Sequence, residues 1–165
     1  MRILGVDPGL RVTGYAIIAA SNKEKKQIRL VEAGIIRTRP KAGIADRLNS
    51  VYGSLLDIVS EHRPDVMVIE KLYAHYKHPA TAILMGHARG VVCLLSGVAK
   101  VPLMSIASTH VKKSITGKGH AGKRQIQRMV QHYLNLKNLP EPPDVADALA
   151  IAISCVFGMK NGSRR

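Results

Sequence analysis

The most constraining stretch lies near the end of the chain, where Pro143 to Phe157 reads PDVADALAIAISCVF. Its spacing predicts a helix, but one that is apolar almost all round. Such a helix has no face to give to water, so the fold must bury it against other elements. Its two acids, Asp144 and Asp147, are three residues apart and share one face of the first turn. Acids at a helix start complement the helix dipole. Burial of this helix also sets its acidic end against a sheet and not in free solvent.

The rest of the chain supplies that sheet. Residues 2–7 read as a strand, and Val12–Ala20 and Ile28–Thr38 as two more, with polar SNKEKK (21–26) as the hairpin connection. Together they predict an antiparallel meander. Gly43–His62 has helical spacing, with Ile44, Leu48, Val51, Leu55, Ile58 and Val59 on one face. VMVIE (66–70) is a short apolar run bounded by turn signals, hence a buried strand. KLYAHYKHP (71–79) reads as a basic loop, Ala80–Val98 as a helix and Val101–Ile106 as another buried strand. A short helix follows over Ser108–Ile115, with Ser108 or Thr109 as N-cap. TGKGHAGK (116–123) is a glycine- and lysine-rich break, then a helix runs to about Leu134. NLPEPPD interrupts before the last helix, which is expected to end near Phe157. The order βββαβαβααα predicts an α/β fold, a mixed sheet of about five strands flanked by helices. One domain is expected over residues 1–158, with a basic flexible tail over 159–165.

Charge narrows the partners. The 165 residues carry 25 Lys plus Arg against 11 Asp plus Glu, a formal net charge of +14. Such an excess attracts polyanions, nucleic acid foremost. Cys93 and Cys155 lie in apolar, helix-like stretches and read as buried free thiols, forming neither a disulfide framework nor a zinc site. The first residues go straight into a strand without a leader-like apolar region, and no apolar run reads as long enough to span a bilayer. A cytoplasmic protein without a membrane partner is the resulting expectation.

With so few acids, each can be placed. Asp46, Asp57, Glu61 and Asp65 sit on or beside the amphipathic helix, Glu24 and Glu32 in the hairpin region, and Glu141 in a proline-rich loop. None of these needs a special role. Asp7 ends the first strand, where Asp-Pro-Gly is also good turn chemistry. Glu70 ends VMVIE, where a carboxylate is expensive unless it is paired, binds a cation or emerges at the sheet edge. Ends of strands are the usual place for sites in open α/β sheets. If Asp7, Glu70, Asp144 and Asp147 converge, their repulsion demands a cation. Hard oxygen ligands suit Mg2+, with Mn2+ able to substitute. Divalent ions so held would serve phosphodiester hydrolysis, while lysines hold the nucleic-acid backbone.

DPGLRVTGYAII (7–18), VIEKLY (68–73), GHARGV (86–91), KKSITGKGHAGKRQI (112–126) and DVADALAIAI (144–153) occur in an order that resembles the RuvC family of Holliday-junction resolvases, within the ribonuclease-H-like superfamily. The resemblance implies a homodimer that cuts four-way DNA junctions symmetrically with Mg2+, and RuvA and RuvB as branch-migration partners. It implies Asp7, Glu70, Asp144 and Asp147 as catalytic metal ligands and matches Lys112 and Lys123 to lysines of the active region. Tyr73 falls where the family usually has Phe, able to stack on an unpaired base. Lys77, Arg89, Lys113, Lys118, His120 and Arg124 are expected DNA contacts. The small residues Ala82, Gly86, Ala88 and Gly90, with Met85, fall in the region through which the family dimerises. His75 and His78 have a spacing compatible with metal ligation. Gly9 and Gly14 would permit tight turns and leave room near metal and phosphate. Three other readings share features with this one: a related nuclease acting on branched DNA or RNA–DNA hybrids, a junction-binding protein without catalysis, and an actin-like or sugar-kinase ATPase.

Overall fold

The computed structural model describes residues 1–21, 27–71 and 79–162. Among these are the strands β1 (Arg2–Asp7), β2 (Val12–Ala20), β3 (Ile28–Arg37), β4 (Val66–Glu70) and β5 (Leu103–Ile106). The helices are α1 (Ile44–His62), α2 (Pro79–Ala99), α3 (Ser108–Thr116), α4 (Lys123–Leu134) and α5 (Pro143–Gly162). The five strands form one sheet in the order β3-β2-β1-β4-β5. The β1–β2 and β2–β3 pairs are antiparallel, whereas β1–β4 and β4–β5 are parallel. The parallel pairs are the ones whose connections contain a helix, because a tight turn cannot return a chain in the same direction. The expected mixed sheet and element order are both present.

Alternation along the strands sorts the core into two layers. Ile3, Ala16, Ile18, Val66 and Val68 face α3, α4 and α5. Leu4, Val6, Ile17, Met67 and Ile69 face α1 and α2. The apolar helix α5 lies against β1 and β2 with Leu149, Ile151 and Ile153 almost fully buried.

Two glycines let α5 come that close. A β-carbon added at Gly5 would stand 2.9 Å from the Ala152 β-carbon and closer still to the Ala148 carbonyl. One added at Gly14 would run into the Asp144 carbonyl. The room expected at Gly14 for a ligand is therefore taken by the first turn of α5.

Other departures from the sequence reading have local causes. Helix α3 is capped by Ala107 with no side-chain bond, so neither Ser108 nor Thr109 is its N-cap. Cys93 is exposed on α2, whereas Cys155 is buried. Helix α5 continues to Gly162, five residues past Phe157. One apolar run is longer than expected: Ala80–Ala99 is, by length and composition alone, sufficient to cross a membrane. Its composition is so apolar because Val92 and Leu95 pack in the core layer against the sheet and further apolar residues face outward. Glu32 is not idle either. It accepts a hydrogen bond from the Tyr15 hydroxyl at 2.7 Å and pairs with His62 Nε2 at 2.8 Å. This ties the end of α1 to β2 and β3. The two bonds outweigh partial burial and hold the Glu32 carboxyl below its ordinary range.

Candidate active site

Period-two alternation explains why two acids meet. Asp7 follows Ile3 and Gly5 on the α5 side of β1, and Glu70 follows Val66 and Val68 on the same side of β4. The strands are parallel neighbours with Val6 opposite Ile69, so Asp7 and Glu70 come next in register. On the other flank, Asp7 is paired with Gly14, the residue that seats Asp144. One helical turn then carries Asp147 into the same space.

Asp7, Glu70 and Asp147 line a cleft of about 600 Å³ together with Pro8, Lys71, Arg89, Ser108, Lys112 and Lys123. Thr81, Ala82, Met85 and Ile126 complete the wall. Asp144 is not among the lining residues, but its charge acts on Asp7 and Asp147.

The carboxylates raise one another. Burial, then the charges of Asp147, Asp144 and Glu70, push the Asp7 carboxyl from 3.8 up to about 7, against a smaller pull from Lys123. Glu70 is raised, chiefly by burial, although a hydrogen bond from the Ser108 side chain and the charge of Lys112 oppose the rise. Asp147 is also raised by burial and by Asp144, with Lys123 and Lys112 opposing. Two lysines are thus too few to make this group comfortable as anions. A hard divalent cation fits a set of crowded oxygen donors with open space beside them.

The turn after Asp7 is pinned. Buried Thr13 donates to the Gly9 carbonyl at 2.7 Å, and Thr38 donates to the Leu10 carbonyl at 2.6 Å. The Arg47 guanidinium reaches both the Thr38 hydroxyl and the Leu10 carbonyl. Gly9 is required because an added β-carbon would strike the Val12 carbonyl.

Lys112 is half-buried and Lys123 exposed, and both reach the cleft from α3 and α4. Lys113, Lys118, His120 and Arg124 lie along α3, the glycine-rich break and the start of α4, outside the cleft wall. The Thr116 hydroxyl stitches that break together through the Lys112 and Lys118 carbonyls. Arg89 is half-buried and bonded inward. Tyr73, Lys77, His75 and His78 lie outside the described residues. Sequence reasoning did not single out Lys71, Ser105, Thr13 or Thr38, and read Ser108 only as a helix cap. Thr13 and Lys71 fall inside the motifs that carry Asp7 and Glu70, which could have hinted at them, whereas Ser105, Ser108 and Thr38 fall outside every motif.

A second acidic group, Glu32, Glu61 and His62, brings possible ligand atoms within 4.8 Å of one another. It lies on the α1 side of the sheet. Glu32 there is already engaged by Tyr15 and His62.

A five-stranded mixed sheet with acids at the carboxyl ends of its two central strands and at the start of a buried helix defines a ribonuclease-H-like enzyme. The family model for "Crossover junction endodeoxyribonuclease RuvC" matches residues 3–155, so the chain belongs to the RuvC family. Nucleases of this family are metal-dependent. The chain is 48% identical to the crossover junction endodeoxyribonuclease RuvC of Rhodopirellula baltica over 92% of its length and 83% of that protein. It is 42% identical to the Pelotomaculum thermopropionicum enzyme of the same name, covering 93% of this chain and 91% of that one. Among solved structures it resembles Thermus thermophilus RuvC in complex with a Holliday junction substrate, with a TM-score of 0.90 and 29% identity. That likeness covers 99% of this chain and 97% of the other. The yeast mitochondrial Holliday junction resolvase Ydc2 shares the fold at a TM-score of 0.70 and 13% identity, covering 99% of this chain and 81% of that one.

Proposed function

We propose that the chain resolves four-way DNA junctions by paired, symmetric, Mg2+-dependent incisions. The observation that carries this reading is the convergence of Asp7, Glu70 and Asp147 at one cleft, with Asp144 close enough for its charge to act on Asp7 and Asp147 and with Lys112 and Lys123 on the wall, in a chain of net charge +14. When bound, the divalent cation supplies an activated water and charge neutralisation at the leaving oxygen. The four acids would hold it, with Asp7 and Glu70 aimed from strand ends and the other two from the first turn of α5. Lys112 and Lys123 bring positive charge beside the scissile phosphate, where negative charge develops. Lys113, Lys118, His120 and Arg124 extend the basic surface along which duplex arms run. Tyr73 and Lys77 meet the crossover.

The test is incubation of the purified chain with a synthetic four-way junction, with and without Mg2+, mapping nicks on both strands of each arm. Symmetrically placed nicks that need the metal are expected. Equal cutting of linear duplex or RNA–DNA hybrid would return the assignment to a broader nuclease, and binding without cutting to a junction-binding protein.

Symmetric cutting needs two sites about a two-fold axis. We assign that axis to α2. Ile83, Leu94 and Val98 are 61%, 59% and 58% exposed, and added β-carbons at Gly86, Gly90 and Gly97 would meet nothing within 4 Å. Ala88, Val92 and Leu95 pack inward, so the outward side is available to a second copy. Leu94→Glu is expected to give a monomer by light scattering and to leave single nicks in place of paired ones. A dimeric Leu94→Glu chain would rule this face out. By the same family likeness, the chain works in the cytoplasm beside branch-migration proteins of the RuvA and RuvB type.

A further inference from the structure

Arg89 was expected to touch DNA. Its guanidinium instead points into the sheet: Nη1 donates to the Glu70 carbonyl at 2.5 Å and Nη2 to the Ser105 hydroxyl at 2.8 Å. It thereby joins α2 to the ends of β4 and β5.

The backbone pattern shows why a side chain is needed there. The Met67 amide bonds to the Pro102 carbonyl and the Lys71 amide to the Ile106 carbonyl, so these odd positions of β4 face β5. Glu70 therefore turns its backbone groups toward β1. In a parallel ladder its carbonyl would accept from the residue one past its register partner. Continued one step past the Val6–Ile69 pair, the register sets Asp7 opposite Glu70, and the next residue is Pro8, which has no amide hydrogen. The ladder between the two acid-bearing strands thus lacks a donor at the residue that carries a proposed metal ligand. A half-buried carbonyl without a partner is unfavourable. The Arg89 guanidinium supplies the missing donor, and its second prong fixes the fork on Ser105.

We infer that Arg89 is a positioning residue: it replaces the hydrogen bond that Pro8 cannot make and thereby fixes Glu70 for the cation. This rests on the reading of Glu70 as a metal ligand. Removal of Arg89 frees the end of β4, and the Glu70 carboxylate then samples directions away from Asp7. Ser105 acts through the same fork and does not reach the acids' oxygens by itself.

The experiment compares the wild type with Arg89→Ala, Arg89→Lys and Ser105→Ala in three measurements. These are Mn2+ binding to the metal-free protein by calorimetry, junction affinity in EDTA, and the single-turnover cutting rate of bound junction with Mg2+. Arg89→Ala should weaken Mn2+ binding and slow cutting by about 10–100-fold, as loss of groups that orient metal ligands does. Junction affinity should stay within about threefold. Ser105→Ala should move the same two readouts less, and should add little once Arg89 is gone. Arg89→Lys, a point charge without a fork, should recover only part of the loss. Weaker junction binding in Arg89→Ala overturns the inference, as does unchanged Mn2+ affinity. If Arg89→Ala does not fold, Ser105→Ala decides alone, and an unchanged Mn2+ affinity there also overturns it. Failure of the wild type to cut junctions would sink the proposed function, while the Mn2+ titration would still test Arg89.

Discussion

Asp7→Asn is expected to bind four-way junctions like the wild type, to lose Mg2+-dependent cutting, and to melt at a higher temperature than the wild type in EDTA at pH 8. The last outcome follows from the crowding at the cleft. Asp7 holds its proton up to about pH 7 in the folded chain, against an ordinary value of 3.8. Between those values the folded form keeps a proton that the unfolded form has released, so stability falls as pH rises. The loss is complete above about pH 7 and is absent below about pH 4. At 1.36 kcal/mol for each unit, a rise of about three units amounts to about 4 kcal/mol of strain at pH 8. Asn keeps the shape without the charge, so the gain in melting temperature should vanish as the pH approaches 4. Divalent cation should raise the melting temperature of the wild type by mass action and that of Asp7→Asn much less. Calorimetric melts at pH 4 and pH 8, with EDTA or Mg2+, read both effects. A variant less stable than wild type at pH 8, or one that cuts junctions at the wild-type rate, would refute the assignment of Asp7. A site that stores repulsion until a cation arrives is the pattern of a binding group kept at the expense of the metal-free fold.

The second large effect is expected at Gly14→Ala. The added β-carbon would overlap the Asp144 carbonyl, a backbone atom at the start of a 20-residue helix. No rotation of a side chain relieves that contact. The first turn of α5 must lift, taking Asp144 and Asp147 with it. Overpacking of this kind costs about 1–3 kcal/mol, or a fall of about 2–12 °C in melting temperature for a chain of this size. Cutting should fall further than folding does, because a displacement near 1 Å is large for a positioned ligand. Gly53→Ala is the matched comparison. Gly53 lies inside α1, where an added β-carbon meets nothing within 4 Å. That variant should be stabilised by about 0.5–1 kcal/mol and should cut normally. Thermal melts and single-turnover rates for the two variants decide the matter. Gly14→Ala with wild-type stability would show that α5 is not seated on β2.

Much of the architecture can be read locally. The short apolar runs at residues 2–7, 12–20 and 66–70 report strands, because a sheet covered on both faces needs apolar residues along the whole strand. The all-apolar helix near the carboxyl end reports a covered position for the same reason. The special status of Asp7, Glu70, Asp144 and Asp147 follows from chemistry alone: acids are scarce in this chain, and these four adjoin stretches that must be dry.

Other features are contacts between residues distant in sequence, and no local pattern encodes them. Glu32 looked idle because Tyr15 and His62 come from other strands and helices. Gly14 looked like room for a ligand because the helix filling that room starts about 130 residues later in the chain. Arg89 looked like a DNA contact because a lone arginine in an apolar helix gives no sign of which way it points. Its guanidinium turns inward to the Glu70 carbonyl, beside Pro8 just past the end of β1, and both residues are far from it in sequence. Composition and periodicity alone thus determined which segments fold into strands and helices and which carboxylates were out of place. Three-dimensional packing decided which of those groups meet, at what proton affinity, and what holds them, because proximity, burial and shared hydrogen bonds exist only once separate segments are brought together.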